Sequence, residues 1–575
     1  MLTTLQIGNF KAFAEAQRIP IRPLTLIYGA NSSGKSSIIH SLVLARHAME
    51  TGDLDIHRTN IGGEAVDLGG FRQYIHRREV NRRMEWSVEI DTAGFKGRLA
   101  ELFAPVSSAR VSIEIGIPQI EETKEQESVD PRTGKKIIIK VPTGSLVTVG
   151  DPEVLSYSIT TDNAQLLSMS KRRDGNLQLD RLDHEQPLFR EVLKAIVETS
   201  TTAESIHPSD YEGLDEAIAD IVPSFAAMVG KFLPEGLARS EADSEGGQAS
   251  LFPISRGRRR EDLAAAVRFF IPRILDELVK GIGQAVASEL SRLQYLGPLR
   301  SYPPRHLSFA QHHDPNWIAG GGYAWDVVRR DAEVRKLVNT WLTAPERLQT
   351  PYELILRDLV GIDQLEGPLL DGLERLNEEG LDIEYEEESR YTSGGAWPVI
   401  KDPEAEVEKL RNLIRGSEIE RLNELILIDR RSNTVVSHRD VGIGVSQVLP
   451  VLVSAYVNQN QIVAIEQPEI HLHPALQADL GDLFLQSALG NNQNRFLIET
   501  HSEHLLLRIM RRMRQTTAGE LPDGIPKIRP EDVMVLFVEP DGPRSIIREM
   551  PLNEHGDLVK AWPGGFFEEG LREVF

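Results

Sequence analysis

The chain has 575 residues, 41% of them hydrophobic and 26% charged, proportions of a globular protein that exclude a disordered or fibrous one; the length predicts two to four packed units. It contains no cysteine, which rules out disulfide staples, thiolate zinc sites and a cysteine nucleophile. With 64 basic against 86 acidic residues the formal charge is −22, so unspecific attraction to a phosphate backbone is not its default behaviour.

In chain order, TLQIGNF alternates apolar and polar residues and Leu24–Tyr28 runs apolar, predicting an amphipathic strand and then a buried one. The start MLTTLQIGNFKAF lacks a signal-peptide pattern, and no apolar run is long enough to span a bilayer, so a cytoplasmic protein without membrane attachment is expected. Gly29-Ala30-Asn31-Ser32-Ser33-Gly34-Lys35-Ser36 follows, matching G-x-x-x-x-G-K-[ST], with Ser37 after it and a helix predicted over 36–49. Small residues at Gly29, Asn31, Ser32, Ser33 and Gly34 let backbone N–H groups curve around a phosphate. Lys35 neutralises the outer phosphates, the Ser36 hydroxyl is a magnesium ligand, and the helix that begins there aims its positive end at the same point. ATP and Mg2+ are therefore the expected cofactors.

Short strand-like runs (WSVEI, VSIEIGI, KIIIKV, LSYSIT) fill 85–180 and predict an antiparallel β subdomain, with a charged hairpin turning at Asp130–Gly134. From 186 to 415 the pattern is mainly helical, broken by a polar stretch near 238–260, expected to be a disordered loop, and by GPLRSYPPR. No heptad pattern persists, so a long coiled-coil arm is not expected. After 420, LNELILID, QIVAIE, RFLIET and VMVLFV alternate with helices, which predicts a partly parallel sheet. The domains read as 1–180, an N-terminal ATPase lobe with the β subdomain; 181–415, a helical insertion or lid; and 416–575, a C-terminal ATPase lobe. The basic sets at 256–260 and at Arg508, Arg511, Arg512 and Arg514 read most simply as a solvated loop and an exposed helix face.

Near the second lobe's start, Asp440–Gln447 carries Gly442, Gly444 and Ser446 before an apolar helix, a second anion-binding pattern. QIVAIE ends in Glu466, a carboxylate at a strand end expected beside the phosphate loop and suited to magnesium; Gln467-Pro468-Glu469 follow. A later strand ends at His501, within reach of a γ-phosphate.

Taken together, GANSSGKSS, DVGIGVSQVLP, IEQPEIHLHP and ETHSEH resemble the motifs of ABC-type ATPases of the RecF/SMC branch. The chain is more closely similar to bacterial AAA-family ATPases with this short head and no long coiled coil, as found in anti-phage defence systems; WPGGFFEE resembles the conserved tail of one subgroup. The resemblance implies an α/β P-loop NTPase of ABC/SMC-head type, with an antiparallel β subdomain and a large mainly helical insertion. It implies a homodimer with ATP sandwiched between heads, in which Gly442, Gly444 and Ser446 act on the partner's nucleotide, and Gln73 as the switch glutamine. One departure is that Gln467 stands where the family has a water-activating glutamate, and His473 where it has a D-loop aspartate. Slow hydrolysis is therefore expected, with Glu469 as substitute base and Glu466, Gln467, Glu469 and His501 as the catalytic set. Arg300 is left open between a phosphate contact, a partner contact and a structural ion pair. Three roles fit: a switch for a separately encoded nuclease or toxin, a non-hydrolysing scaffold, or a RecF-like repair ATPase that touches nucleic acid.

Overall fold

A computed structural model describes residues 1–129, 136–172, 175–183, 185–189, 191–192, 218, 222, 225–229, 232–239, 259–300, 316–345, 347–359, 361, 364, 366–368, 370–372, 374, 383–386, 397–400, 402–416, 422–436 and 443–565. The hairpin turn expected at 130–134, most of the loop expected near 238–260, and Gly442 lie outside the described residues.

The N-terminal strands are β1 (Leu2–Gly8), β2 (Gln17–Pro20) and β3 (Leu24–Gly29), followed by the helix α1 (Lys35–Thr51). All six residues of β3 are buried, as expected of a strand covered on both faces. The helix stops at Gly52, whose φ of 85° supplies the left-handed cap that other residues adopt at a cost. Next come α2 (Phe71–Tyr74), β4 (Met84–Asp91), α3 (Gly97–Leu102), β5 (Ser108–Gly116), the hairpin β6 (Gln119–Val129) with β7 (Lys136–Thr148), then β8 (Glu153–Thr161), β9 (Ala164–Lys171) and β10 (Leu177–Leu182).

Helices dominate the described part of 181–415: α4 (Arg259–Ser291), α5 (Tyr323–Arg330), α6 (Ala332–Thr343) and α7 (Pro403–Gly416). Strands lie between them that the helical pattern concealed: β11 (Phe225–Val229), β12 (Pro234–Arg239), β13 (Leu293–Leu296), β14 (Tyr352–Leu359), β15 (Ile383–Glu386) and β16 (Trp397–Ile400). The C-terminal part holds β17 (Leu422–Asp429), β18 (Thr434–Val436), α8 (Ile443–Val457), β19 (Ile462–Glu466), α9 (Pro474–Leu489), β20 (Arg495–Glu499), α10 (Glu503–Ala518), β21 (Val533–Asp541) and β22 (Arg544–Glu549).

Two sheets organise the first compact unit, residues 1–301, 313–324 and 443–575. One is antiparallel with nine strands, in the order β12-β11-β10-β9-β8-β5-β4-β1-β2; the short apolar strands β11 and β12 extend its edge. The other runs β13-β19-β20-β3-β21-β22 and is parallel except for the β21–β22 hairpin. VMVLFV, expected as a strand of this sheet, lies within β21. A continuous apolar core joins Ile38 and Leu42 of α1, Trp86 and Ile113 of the antiparallel sheet, and Leu278 and Ile282 of α4.

The second unit, residues 302–312 and 325–442, contains the antiparallel sheet β14-β17-β18. LNELILID, expected to join the parallel sheet, pairs there in full register with β14, Tyr352 opposite Asp429 and Leu359 opposite Leu422. The division between units therefore runs elsewhere than the boundaries expected at 181 and 416: residues 182–301 belong with the first unit and residues 416–442 with the second.

The basic residues of α10 divide: Arg511 and Arg514 are exposed, as expected, whereas Arg508 and Arg512 turn towards α9. Arg512 donates to both oxygens of Asp482 on α9 at 2.7 Å, and Arg508 bonds Asp482 at 2.6 Å and Asp479 at 3.0 Å. Gly481 lets the helices approach: a Cβ there would lie 3.2 Å from the Leu505 carbonyl oxygen.

Candidate functional site

The parallel sheet gathers three chain segments at the carboxyl ends of its strands. The loop from Gly29 to Gly34 leaves β3 and enters α1, and its glycines are required by shape. Gly29 has φ 146° and a Cβ there would collide with the Val538 carbonyl at 2.2 Å; Gly34 has φ 95° and would meet the Ala12 methyl at 2.6 Å. The helix that follows has no side-chain cap at its N-terminus, whereas His473 caps α9 and Ser502 caps α10. Ser37 N–H donates to the Gly34 carbonyl at 3.0 Å, and the N–H groups of Lys35 and Ser36 before it are left to face an anion, with the positive end of the helix behind them.

Lys35 is buried and donates to the Gly29 and Ala30 carbonyls at 3.1 and 2.8 Å. Burial lowers its pKa, against the neighbouring Glu499, Glu469 and Glu466. The hydroxyl of Ser33 is buried without a hydrogen-bond partner, and a Cβ on Gly29 would lie 3.0 Å from it, so it faces into the loop. Asn31 and Ser32 are exposed at the loop's crest, and Ser37 is buried in the first turn of α1.

The expectation that the Glu466 strand adjoins the phosphate-loop strand is corrected by the sheet order, in which β20 lies between β19 and β3. As a result the acid nearest the loop is Glu499, the last residue of β20, which stands opposite Ile27 of β3 and Glu466 of β19. Ser36 Oγ donates to Glu499 Oε2 at 2.7 Å, and Lys35 Nζ lies 3.9 Å from its other oxygen. Burial, then the charge of Glu466, push the Glu499 carboxyl up to about 7 despite its bonds to the loop.

Glu466 is held differently. Its Oε1 accepts from the Tyr295 hydroxyl at 2.9 Å and lies 3.2 Å from His40 Nε2, while His40 Nδ1 lies 2.8 Å from Lys11 Nζ. Burial brings Lys11 down to about 8 and lowers His40 as well. Arg300, 4% exposed, donates to the main-chain oxygen of Glu466 at 3.0 Å and to that of Gln467 at 3.4 and 3.5 Å. Arg300 thus clamps the turn where Gln467 takes the left-handed φ of 46°, a strained conformation for a residue with a side chain.

Glu469 accepts from Thr500 Oγ1 at 2.8 Å and from the His501 N–H at 2.7 Å, so it holds the end of β20; burial raises its pKa. Burial, then Lys35, lower the pKa of His501, and its Nε2 is buried without a partner. A neutral imidazole with one unused nitrogen is thus left at the site.

Ser446 is 1% exposed within this chain, and a Cβ on Gly444 would lie 3.2 Å from the His471 carbonyl, so this glycine segment packs on the turn after Gln467. Gln73 on α2 is exposed, and among the described residues no hydrogen bond links its side chain to the phosphate loop. Tyr295, His40, Lys11 and Glu499 were not foreseen as site residues, although Glu499 lies in the quoted ETHSEH. The tail also reaches this region: the Trp562 ring lies 5.5 Å from that of Tyr28, the residue before Gly29, and 5.7 Å from Phe537.

Residues 290–508 match the family model described as "AAA domain, putative AbiEii toxin, Type IV TA system", and residues 4–169 match one described as "AAA domain". No curated protein matches the sequence. Among solved structures, an SMC head bound to the C-terminal winged-helix domain of ScpA aligns at 9% identity and TM-score 0.32, over 96% of this chain and 98% of that one. The SMC head domain from Thermotoga maritima aligns at 10% and 0.29, over 95% and 98%. An SMC head with an extended coiled coil, bound to the C-terminal domain of ScpA derived from Pyrococcus furiosus, aligns at 10% and 0.32, over 100% and 98%. By the family models the chain is AAA ATPase-like on both sides of the site. No helix among the described residues is long and apolar enough to cross a membrane.

Proposed function

We propose that this chain binds ATP with magnesium and hydrolyses it slowly, as a dimeric switch. The observation that carries the reading is the junction of Ser36 and Lys35 with Glu499, which joins the phosphate loop to a strand more than four hundred residues away. The groups suit the cofactor. Magnesium takes oxygen ligands, one or two carboxylates plus substrate phosphates, rather than an all-protein cage. Ser36 and the strand-end carboxylates, Glu466 among them, supply that kind of donor, and no group of three or more metal-binding side chains forms a cage among the described residues. When bound, the ion neutralises charge on the outer phosphates.

Lys35 exchanges two loop carbonyls for phosphate oxygens, the open N–H groups of α1 receive the β-phosphate, and His501 Nε2 is available to a γ-phosphate oxygen. Gln467 orients water through its amide but has no basic lone pair, and Glu469 is the substitute base. In a dimer, Gly442, Gly444 and Ser446 face the partner's nucleotide, so ATP and association are thermodynamically linked. The output of such a switch is control of a separate effector, a nuclease or toxin, and antiviral defence is the setting we favour. Gln467 equally favours a second reading, an ATP-dependent scaffold that does not turn over.

The test is equilibrium uptake of labelled ATP with magnesium, followed by phosphate release. Saturable uptake is expected; none at millimolar nucleotide ends the ATP reading, and uptake without turnover selects the scaffold. Gln467→Glu is expected to raise phosphate release about tenfold or more, since general bases contribute about 10²–10⁴. An unchanged rate would remove position 467 from water activation.

A further inference from the structure

Glu466 is the acid that the motif pattern assigns to magnesium, yet its Oε1 is engaged by Tyr295 and lies against His40, and no hydrogen bond joins it to Ser36. The carboxylate that accepts the Ser36 proton belongs to the neighbouring strand, at 2.7 Å. A serine whose hydroxyl hydrogen points at a carboxylate presents its oxygen lone pairs elsewhere, the orientation a cation beside that oxygen requires. The buried Ser33 hydroxyl facing into the same loop is a second polar group that no partner satisfies among the described residues.

Resting on the ATP reading, we propose that Glu499 is the carboxylate that completes the divalent-cation site with Ser36. Glu466 stands behind it and is held in place by Tyr295 and His40. The strand order makes this possible: of the two acid-ending strands β19 and β20, it is β20 that pairs with β3, so its terminal acid is the one that reaches Ser36. Lys35, 3.9 Å from Glu499, balances the added negative charge while the site is empty of nucleotide. The acid thus acts on the cation side of the nucleotide and not on its base or sugar.

The experiment measures the affinity of a fluorescent ATP analogue as Mg2+ is titrated, and again in EDTA, for the full chain and for Glu499→Gln, Glu499→Asp and Glu466→Gln. Glutamine keeps the size of Glu499 and an oxygen for Ser36, so the urea unfolding midpoint is expected to hold, and affinity in EDTA, with one negative charge fewer facing the triphosphate, is expected not to fall. The Mg2+ concentration at half-effect is expected to rise about 10–100-fold. Glu499→Asp, which keeps the charge, is expected to recover part of that loss, and Glu466→Gln to shift it less than Glu499→Gln does. Direct Mn2+ binding by electron paramagnetic resonance in the presence of ADP reads the same order without turnover. The proposal is overturned if Glu499→Gln keeps the unaltered chain's Mg2+ dependence, or if Glu466→Gln is the more damaging variant. If the unaltered chain takes up no ATP at all, it is the ATP reading that fails, and the two failures are told apart by that control.

Discussion

Asp482→Ala is expected to lower the unfolding free energy of the ATPase unit by about 3–5 kcal/mol, the range for removing one partner of a buried ion pair. Arg512 donates to both oxygens of Asp482 and Arg508 to one, with the aspartate side chain 3% exposed and the arginines 11% and 19%. The loss comes from the guanidiniums left behind in a site that water reaches poorly, more than from the attraction itself. Burial pushes the Asp482 carboxyl up, but its bonds and charge interactions with Arg512 and Arg508 together outweigh burial, and its pKa falls below the usual 3.8. A depressed folded-state value means that this stabilisation is complete above the unfolded pKa and is lost as pH falls through the folded one. The deficit of Asp482→Ala should therefore be full at pH 7 and shrink on strong acidification. Urea unfolding followed by circular dichroism at several pH values checks this; a deficit under about 1 kcal/mol at pH 7 would reduce the network to surface pairing. The consequence reaches the site, because α9 follows the Gln467 turn and α10 follows His501. Loosening this helix pair should also disorder the ends of β19 and β20.

Lys35→Ala is expected to weaken ATP binding by about one to two orders of magnitude. A hydrogen bond to a charged group contributes about 1.5–3 kcal/mol, and each 1.4 kcal/mol is a factor of ten. The structure adds to the effect: with the ammonium gone, Glu499, Glu466 and Glu469 face an incoming triphosphate with less positive charge between them. Lys35 donates to the carbonyls of Gly29 and Ala30, so the loop also loses an internal tie. Titration of the analogue, with the unfolding midpoint as a control on folding, decides it. Affinity within threefold of the unaltered chain would mean the loop is not the phosphate site.

The loop itself was readable because everything it needs is local. A buried strand, two glycines at set spacing and a lysine–serine pair at a helix start are written within thirteen consecutive residues, 24–36. The parallel strands QIVAIE, RFLIET and VMVLFV were likewise visible as apolar runs between helices. LQYL was not visible as a strand: four residues after a 33-residue helix carry no periodicity of their own, and they become β13 only by pairing with β19. LNELILID alternates convincingly, but alternation does not name the sheet, and its partner proved to be β14. Arg300 remained ambiguous for a similar reason, since its two acceptors are main-chain oxygens with no signature in the residue types around it.

What the residue order determined alone is the chemistry available: a phosphate loop, a lysine and serine for an anion and its cation, and acids at strand ends. Such features depend on backbone geometry over a few residues, and spacing encodes that geometry directly. What only the tertiary structure decided is which acid meets the loop. That follows from β20 lying between β19 and β3, an adjacency set by crossover connections and by the shared burial of distant apolar faces. Two carboxylates that look alike along the chain are thereby given different neighbours, Ser36 and Lys35 for Glu499, Tyr295 and His40 for Glu466.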